Sequence, residues 1–152
     1  MDQYIYNSPI GPLIIEENEN AITGLYFSDG NEPSAQEPPG GILLQCVKEL
    51  EEYFRKERRE FTVPVRLSGT EFRKKVWEEL SNIPYGKTIS YKALAEAIGN
   101  PAAVRAVGGA NHHNPVSIIV PCHRVIGANG SLTGYGGGLW RKEWLIEHER
   151  NN

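Results

Sequence analysis

The sequence predicts an α/β chain of the α+β kind. A small amino-terminal domain would pair an antiparallel sheet with one helix, and a mostly helical carboxy-terminal domain would contain a helix-turn-helix. Three observations lead there. Short apolar and β-branched runs separated by turn residues fill the first 27 positions. One amphipathic helical stretch follows, with Leu43, Val47, Leu50 and Phe54 on a stripe and Cys46 and Tyr53 beside it. From Thr70 onward the pattern is helical, punctuated by Gly, Asn and Pro. At 152 residues the chain has room for one compact unit or two small ones.

Taken in order, Tyr4-Ile5-Tyr6 and Leu13-Ile14-Ile15 flank the turn-rich stretch Asn7 to Pro12, a hairpin. A third strand runs from Ala21 to Phe27, and residues 28–41, rich in Gly, Pro, Glu and Ser, form a loop. The first helix covers about Ile42 to Lys56. Phe61, Val63, Val65 and Leu67 alternate as a strand or an extended crossover would, with Pro64 arguing for an edge or no ladder at all. Thr70, followed by Glu71, is a fitting N-cap for a helix with Phe72, Val76, Trp77 and Leu80 on one face, ended by Ile83-Pro84-Tyr85-Gly86. Ser90 caps a short helix through Ile98, closed by Gly99. Asn100-Pro101 starts the next, through about Ala110, with Pro at its first position. The last helix, Leu139 to Glu149, places Trp140, Trp144, Leu145 and His148 on one side.

Charge and cysteines bound the function. Residues 1–67 hold 6 Lys and Arg against 12 Asp and Glu, whereas residues 68–152 hold 10 against 7. The net charge of −3 therefore hides a locally basic carboxy-terminal half that could meet an anion. Cys46 and Cys122 are too far apart for a CxxC zinc or redox site. No apolar run of about 18 residues is present, so no membrane span is expected. The amino terminus lacks a basic and an apolar signal region, and the expected location is cytoplasmic, or nucleoid-associated in a prokaryote.

The most specific segment is Asn114-Pro115-Val116 running through an apolar stretch into Pro121-Cys122-His123-Arg124. Basic neighbours favour the thiolate, and the thiolate is the nucleophile. A lone Cys beside a His is more often a packed thiol than a reagent. The context reverses this. That segment, together with Gly134-Tyr135-Gly136-Gly137-Gly138-Leu139, Lys142-Glu143-Trp144-Leu145, Ile83 to Tyr91 and Ala102 to Ala110, closely resembles the 6-O-alkylguanine-DNA alkyltransferases, the methylated-DNA–protein-cysteine methyltransferases. The amino-terminal Ser8-Pro9-Ile10-Gly11-Pro12-Leu13 matches as well.

The resemblance implies two domains: residues 1–67, a ribonuclease-H-like α/β support, and residues 68–152, the DNA-binding and alkyl-acceptor half. It implies direct-reversal repair, in which O6-alkylguanine, and also O4-alkylthymine, is flipped from the duplex and its alkyl group moves irreversibly to Cys122. His123 would take the thiol proton through a bridging water, Glu149 would orient that imidazole, and Tyr91 would donate to the departing base. Arg105 would enter the stack in place of the flipped nucleotide, on a helix whose small residues Ala103, Ala106 and Gly108 allow close approach to the minor groove. Tyr91, Arg124 and Lys142 would add DNA contacts, while Asn114, Val125, Tyr135, Gly136 and Gly137 would support or line the pocket. Gly136 stands where some relatives carry a serine that contacts the guanine oxygen.

No metal and no cofactor are expected, because adjacent His112 and His113 point about 100° apart on a helix. The partner would be double-stranded DNA bearing alkylated guanine, met by a monomer with scope for cooperative assembly on the duplex. The competing function is that of an alkyltransferase-like protein that binds the lesion and recruits other repair factors, against which the presence of Cys122 argues.

Overall fold

The structure is a computed structural model that describes residues 2–30 and 36–151. It divides into two compact units, Met1–Leu67 and Ser68–Asn152.

In the first unit β1 (Asp2–Ser8), β2 (Gly11–Asn18) and β3 (Ala21–Phe27) form an antiparallel meander. Ile5 lies opposite Ile14, and Ile15 opposite Leu25. The β2–β3 turn is made by Glu19 (φ 49°) and Asn20 (φ 63°), the two successive left-handed residues that match a two-residue turn to the twist of its strands. Ile5, Leu13, Ile15, Ile22 and Leu25 are buried, as are Leu43, Cys46, Val47, Leu50 and Tyr53 on α1 (Gly41–Phe54), the helix of this unit. Of the two readings for residues 61–67, a strand or an extended crossover with no ladder, the structure takes the second. Val65 makes a single parallel bridge with Ile22, through Ile22 N–H on Pro64 O (2.8 Å) and Arg66 N–H on Ile22 O (2.9 Å). Pro64 has no N–H with which to extend it.

What holds that segment is Glu49, buried on α1, whose carboxylate accepts from Thr62 N–H and hydroxyl (both 2.8 Å), Val63 N–H (3.1 Å) and Gln45 (2.9 Å). Burial pushes this carboxyl up, but the four donors more than offset it and hold it below its ordinary value.

The second unit is helical. Thr70 caps α2 (Glu71–Leu80) by accepting from Arg73 N–H, and Ser90 caps α3 (Tyr91–Ala97) by accepting from Ala93 N–H. The helix expected from Pro101 begins three residues later. Asn100 to Ala102 form a turn, closed by Ala103 N–H on Asn100 O, and α4 spans Val104–His112. A two-stranded parallel ladder joins β4 (Ile89–Ser90) to β5 (Val125–Ile126), directly after the 3-10 turn Cys122–Arg124. In α5 (Leu139–Arg150) the inward face carries Lys142, Leu145, Ile146, His148 and Glu149. Trp140, grouped by helical spacing with Trp144, Leu145 and His148, is 56% exposed. The polar residues Lys142 and Glu149 take the inward positions because partners wait for them there. Among the described residues no helix is long and apolar enough to cross a membrane.

One side chain ties α2 to α4. The buried Trp77 of α2 donates its indole N–H to Ala110 O at 2.8 Å, satisfying a carbonyl in the last turn of α4. Trp77→Phe leaves that carbonyl without its indole donor and opens space around a smaller ring. Its expected cost is about 1–3 kcal/mol in urea unfolding. An unchanged midpoint contradicts this role.

Candidate functional site

The site grows from the loop between α4 and β5. Residues 114–121, the apolar approach to Cys122, form overlapping turns. Asn114 clamps them: its amide N–H donates to Val120 O (2.7 Å) while its oxygen accepts from Val116 N–H (3.0 Å). Ile118 sits at φ 72°, a left-handed conformation in which a β-branched side chain is strained. Its side chain is nonetheless fully buried, as are those of Val116 and Val120. Packing and the asparagine clamp hold the strained turn. Asn111, in the last turn of α4, donates to Cys122 O at 3.3 Å and so ties that helix to the cysteine. Nothing in the sequence signals Asn111.

The 3-10 turn then presents three consecutive side chains to the interior. His123 is fully buried, and its Nε2 lies 2.6 Å from a carboxylate oxygen of Glu149. A carboxylate only accepts, so the proton sits on Nε2 and the neutral ring keeps its lone pair on Nδ1. That Nδ1 is buried and has no hydrogen-bond partner in the protein. Arg124 grips the same carboxylate with two N–H groups (2.9 and 3.1 Å) and gives a third to Ile83 O (2.7 Å). Gly86 N–H adds a fourth contact to Glu149 (3.1 Å).

Protonation states follow from these contacts. Burial alone would push the Glu149 carboxyl up, but the charges and hydrogen bonds of His123 and Arg124 hold it well below the usual carboxylate range. Burial lowers the His123 imidazole despite Glu149, so it rests neutral. Burial also raises the Cys122 thiol, although Asn114 and the Lys142 charge oppose this. The sequence expectation that Arg124 beside Cys122 favours a standing thiolate is thereby corrected. The arginine charge is neutralised by Glu149, and the buried thiol rests protonated. Cys46, the other free thiol, is pushed up to about 12 by burial and the Glu49 charge, with no base beside it.

Lys142 and Arg124 were expected to contact DNA, and their burial corrects that. Lys142 is fully buried and donates to Thr133 O (2.7 Å) and to the Tyr91 hydroxyl (3.4 Å). Among the described residues no carboxylate comes within 4.0 Å of its ammonium. The Tyr91 hydroxyl donates in turn to Thr133 O at 3.1 Å. Tyr135 and Val125 are buried, and Gly136 is open enough that a Cβ there would meet nothing within 4 Å. Gly137 O accepts from Arg141. Arg105 and Ala106 are exposed on α4, Ala103 precedes it half-buried, and Gly108 lies against the Tyr91 ring, where an added Cβ would approach to 3.8 Å. His112 and His113 are exposed, and among the described residues no group of three or more His, Cys, Asp or Glu is gathered around a metal-sized site.

Comparison with known proteins matches residues 71–151 to the family model for the 6-O-methylguanine DNA methyltransferase DNA binding domain, and residues 3–67 to that for the ribonuclease-like domain of the same proteins. The chain belongs to this family. A methylated-DNA–protein-cysteine methyltransferase from Mycobacterium leprae is 50% identical over 148 residues, spanning 95% of this chain and 90% of the relative. The crystal structure of the Mycobacterium tuberculosis O6-methylguanine methyltransferase superposes with a TM-score of 0.89 at 46% identity, covering 98% of this chain and 92% of that one. A structure of the M. tuberculosis protein in complex with DNA gives 0.88 at 47% identity, covering 97% and 91%. Family membership thus extends over both units, and the cluster around Glu149 lies in the second.

Glu149→Gln leaves the buried Arg124 without its counter-charge, and the expected loss is about 3–5 kcal/mol in chemical denaturation. Because the native carboxyl is depressed, its stabilisation is present above the unfolded carboxylate range and is lost as pH falls below it. The wild type should therefore lose stability below about pH 4 more steeply than Glu149→Gln. Parallel pH curves contradict the pairing.

Proposed function

We propose that this protein repairs alkylated DNA by moving the alkyl group of an O6-alkylguanine, and of O4-alkylthymine, onto Cys122. The observation that carries the reading is the bare, buried Nδ1 of His123, fixed by Glu149 on the opposite nitrogen and adjacent in the chain to a protonated, buried thiol. When substrate is seated, the Cys122 proton passes to Nδ1 through a bridging water, and Glu149 stabilises the imidazolium. The sulfur attacks the alkyl carbon as the carbon–oxygen bond breaks, and the base leaves with the electron pair. A thioether remains, which nothing in the site hydrolyses, so each molecule acts once.

Lys142 and Tyr91 serve the departing base. The buried ammonium lacks a carboxylate partner and so favours negative charge in the pocket, first on sulfur and then on the purine. Tyr91 redirects its hydroxyl hydrogen from Thr133 O to the base, while Lys142 stays on Thr133 O and supports the phenol oxygen. Tyr135, Val125, Gly136 and Gly137 form the pocket, and the openness at Gly136 leaves recognition of the guanine oxygen to backbone N–H groups.

The lesion reaches this depth only when flipped. Arg105, exposed at the start of α4, fills the gap it leaves, and the short side chains of Ala103, Ala106 and Gly108 let the helix approach the minor groove, where sequence readout is poor. Every residue in this reading lies in the second unit, and the first serves as a support domain.

Mixing the protein with an excess of duplex carrying 6-O-methylguanine and following intact mass tests the reading. One methyl group per chain is expected, located on Cys122, with none on Cys46 and none in Cys122→Ala. Turnover beyond one equivalent, or label distributed over both thiols, overturns it.

A further inference from the structure

The loop between β5 and α5 brings one further group to the Tyr91 hydroxyl. That hydroxyl, on the first residue of α3, makes three contacts. It donates to Thr133 O at 3.1 Å, and its oxygen receives the Lys142 ammonium and the Thr133 hydroxyl, each at 3.4 Å. One hydrogen given and two accepted use the full capacity of a phenol oxygen. The Thr133 side chain is the one member of this cluster that the transfer step does not yet use.

Thr133 engages Tyr91 twice, and the two engagements differ in kind. Its carbonyl accepts the phenol hydrogen in competition with the base, and it also takes the Lys142 ammonium at 2.7 Å. When the phenol hydrogen turns to the base, Lys142 keeps that carbonyl satisfied, so the turn strands no acceptor. The Thr133 hydroxyl instead donates to the phenol oxygen. A donor on that oxygen strengthens the hydrogen bond that the phenol itself gives. Negative charge gathering on the leaving purine is then met by a donor that is polarised from behind.

The surroundings hold these atoms in place. The Tyr91 ring lies against Gly108 of α4, where an added Cβ would come within 3.8 Å of it, and the Lys142 ammonium stands 5.7 Å from the ring centre. Gly134, which follows Thr133, takes φ 60°, and its carbonyl lies 3.4 Å from His112 Nδ1. The segment is thus pinned by Lys142 at Thr133 O and by the end of α4 one residue later. Thr133 is exposed, so a substitution there leaves the core untouched. Contacts of 3.4 Å between oxygens are long, and hydrogen bonds of this kind at a catalytic site tighten when substrate closes it and excludes water.

We infer that Thr133 is a positioning residue for alkyl transfer, whose hydroxyl, donating to the Tyr91 oxygen, steadies the phenol toward the departing base and strengthens its hydrogen bond. The inference rests on the part given to Tyr91 in the repair reading and adds a residue to it.

Single-turnover transfer from a duplex carrying 6-O-methylguanine, with protein raised to saturation, separates the rate constant of the chemical step from binding. Thr133→Val keeps the carbonyl and the shape of the side chain but removes the hydroxyl. It is expected to lower the saturated rate constant about 3–10-fold with the half-saturating concentration unchanged, while Thr133→Ser stays within about twofold of the wild type. In a Tyr91→Phe background, which already lacks the phenol oxygen, the valine substitution should cost nothing further. A Thr133→Val variant with the wild-type rate constant, a Thr133→Ser variant as slow as Thr133→Val, or a deficit undiminished in the Tyr91→Phe background overturns the role of the hydroxyl while repair stands. If Tyr91→Phe transfers at the wild-type rate, the part given to Tyr91 falls and Thr133 with it. If the wild type transfers no methyl group, the repair reading itself falls.

Discussion

The site depends on one buried carboxylate. Glu149 is almost wholly removed from water, where an isolated charge would cost several kcal/mol. Arg124 offsets that cost with a two-pronged ion pair, and Gly86 N–H and His123 complete its coordination. The remaining chemistry follows from that anion. It fixes which nitrogen of His123 is protonated, and it absorbs the arginine charge that would otherwise act on Cys122. It also anchors the end of α5 to the 3-10 turn and to Gly86, beyond α2.

This arrangement gives burial a consistent part in reactivity. A thiol exposed in a basic setting would stand as thiolate and react with whatever diffused past. Here burial keeps Cys122 protonated and His123 neutral, and ionisation waits for a substrate that brings its own electrophilic carbon. Lys142 contributes the opposite influence, a buried cation without a carboxylate partner. The thiolate and the departing base are the anions it would stabilise. Strain at Ile118 belongs to the same design, since the turn that sets Cys122 in place is held by Asn114 and by packing rather than by a regular ladder.

Local signals in the sequence carried much of this. Thr70 and Ser90 act as the caps their residue types suggest, because capping involves only the next three residues. The Pro-Cys-His-Arg run alone did not single out Cys122; the resemblance of its wider context did. What was illegible depends on partners far away in the chain. Lys142 reads as a surface base until Thr133 and Tyr91 enclose it, and Arg124 reads as a phosphate contact until Glu149 claims it. Trp140 looks like a core residue by helical spacing, yet the inward face of α5 goes to the polar groups that Cys122 and His123 require. The start of α4 at Val104 rather than Pro101 is set by a turn over Asn100 to Ala102, closed by Ala103 N–H on Asn100 O, that proline at a first helical position does not announce.

The central claim is the protonation pattern imposed by Glu149, and nitrogen-15 NMR of the histidine side chains measures it directly. The account predicts that at neutral pH His123 is uncharged, with hydrogen on Nε2 and a bare Nδ1. A His123 carrying its hydrogen on Nδ1, or one already doubly protonated at pH 7, would contradict it.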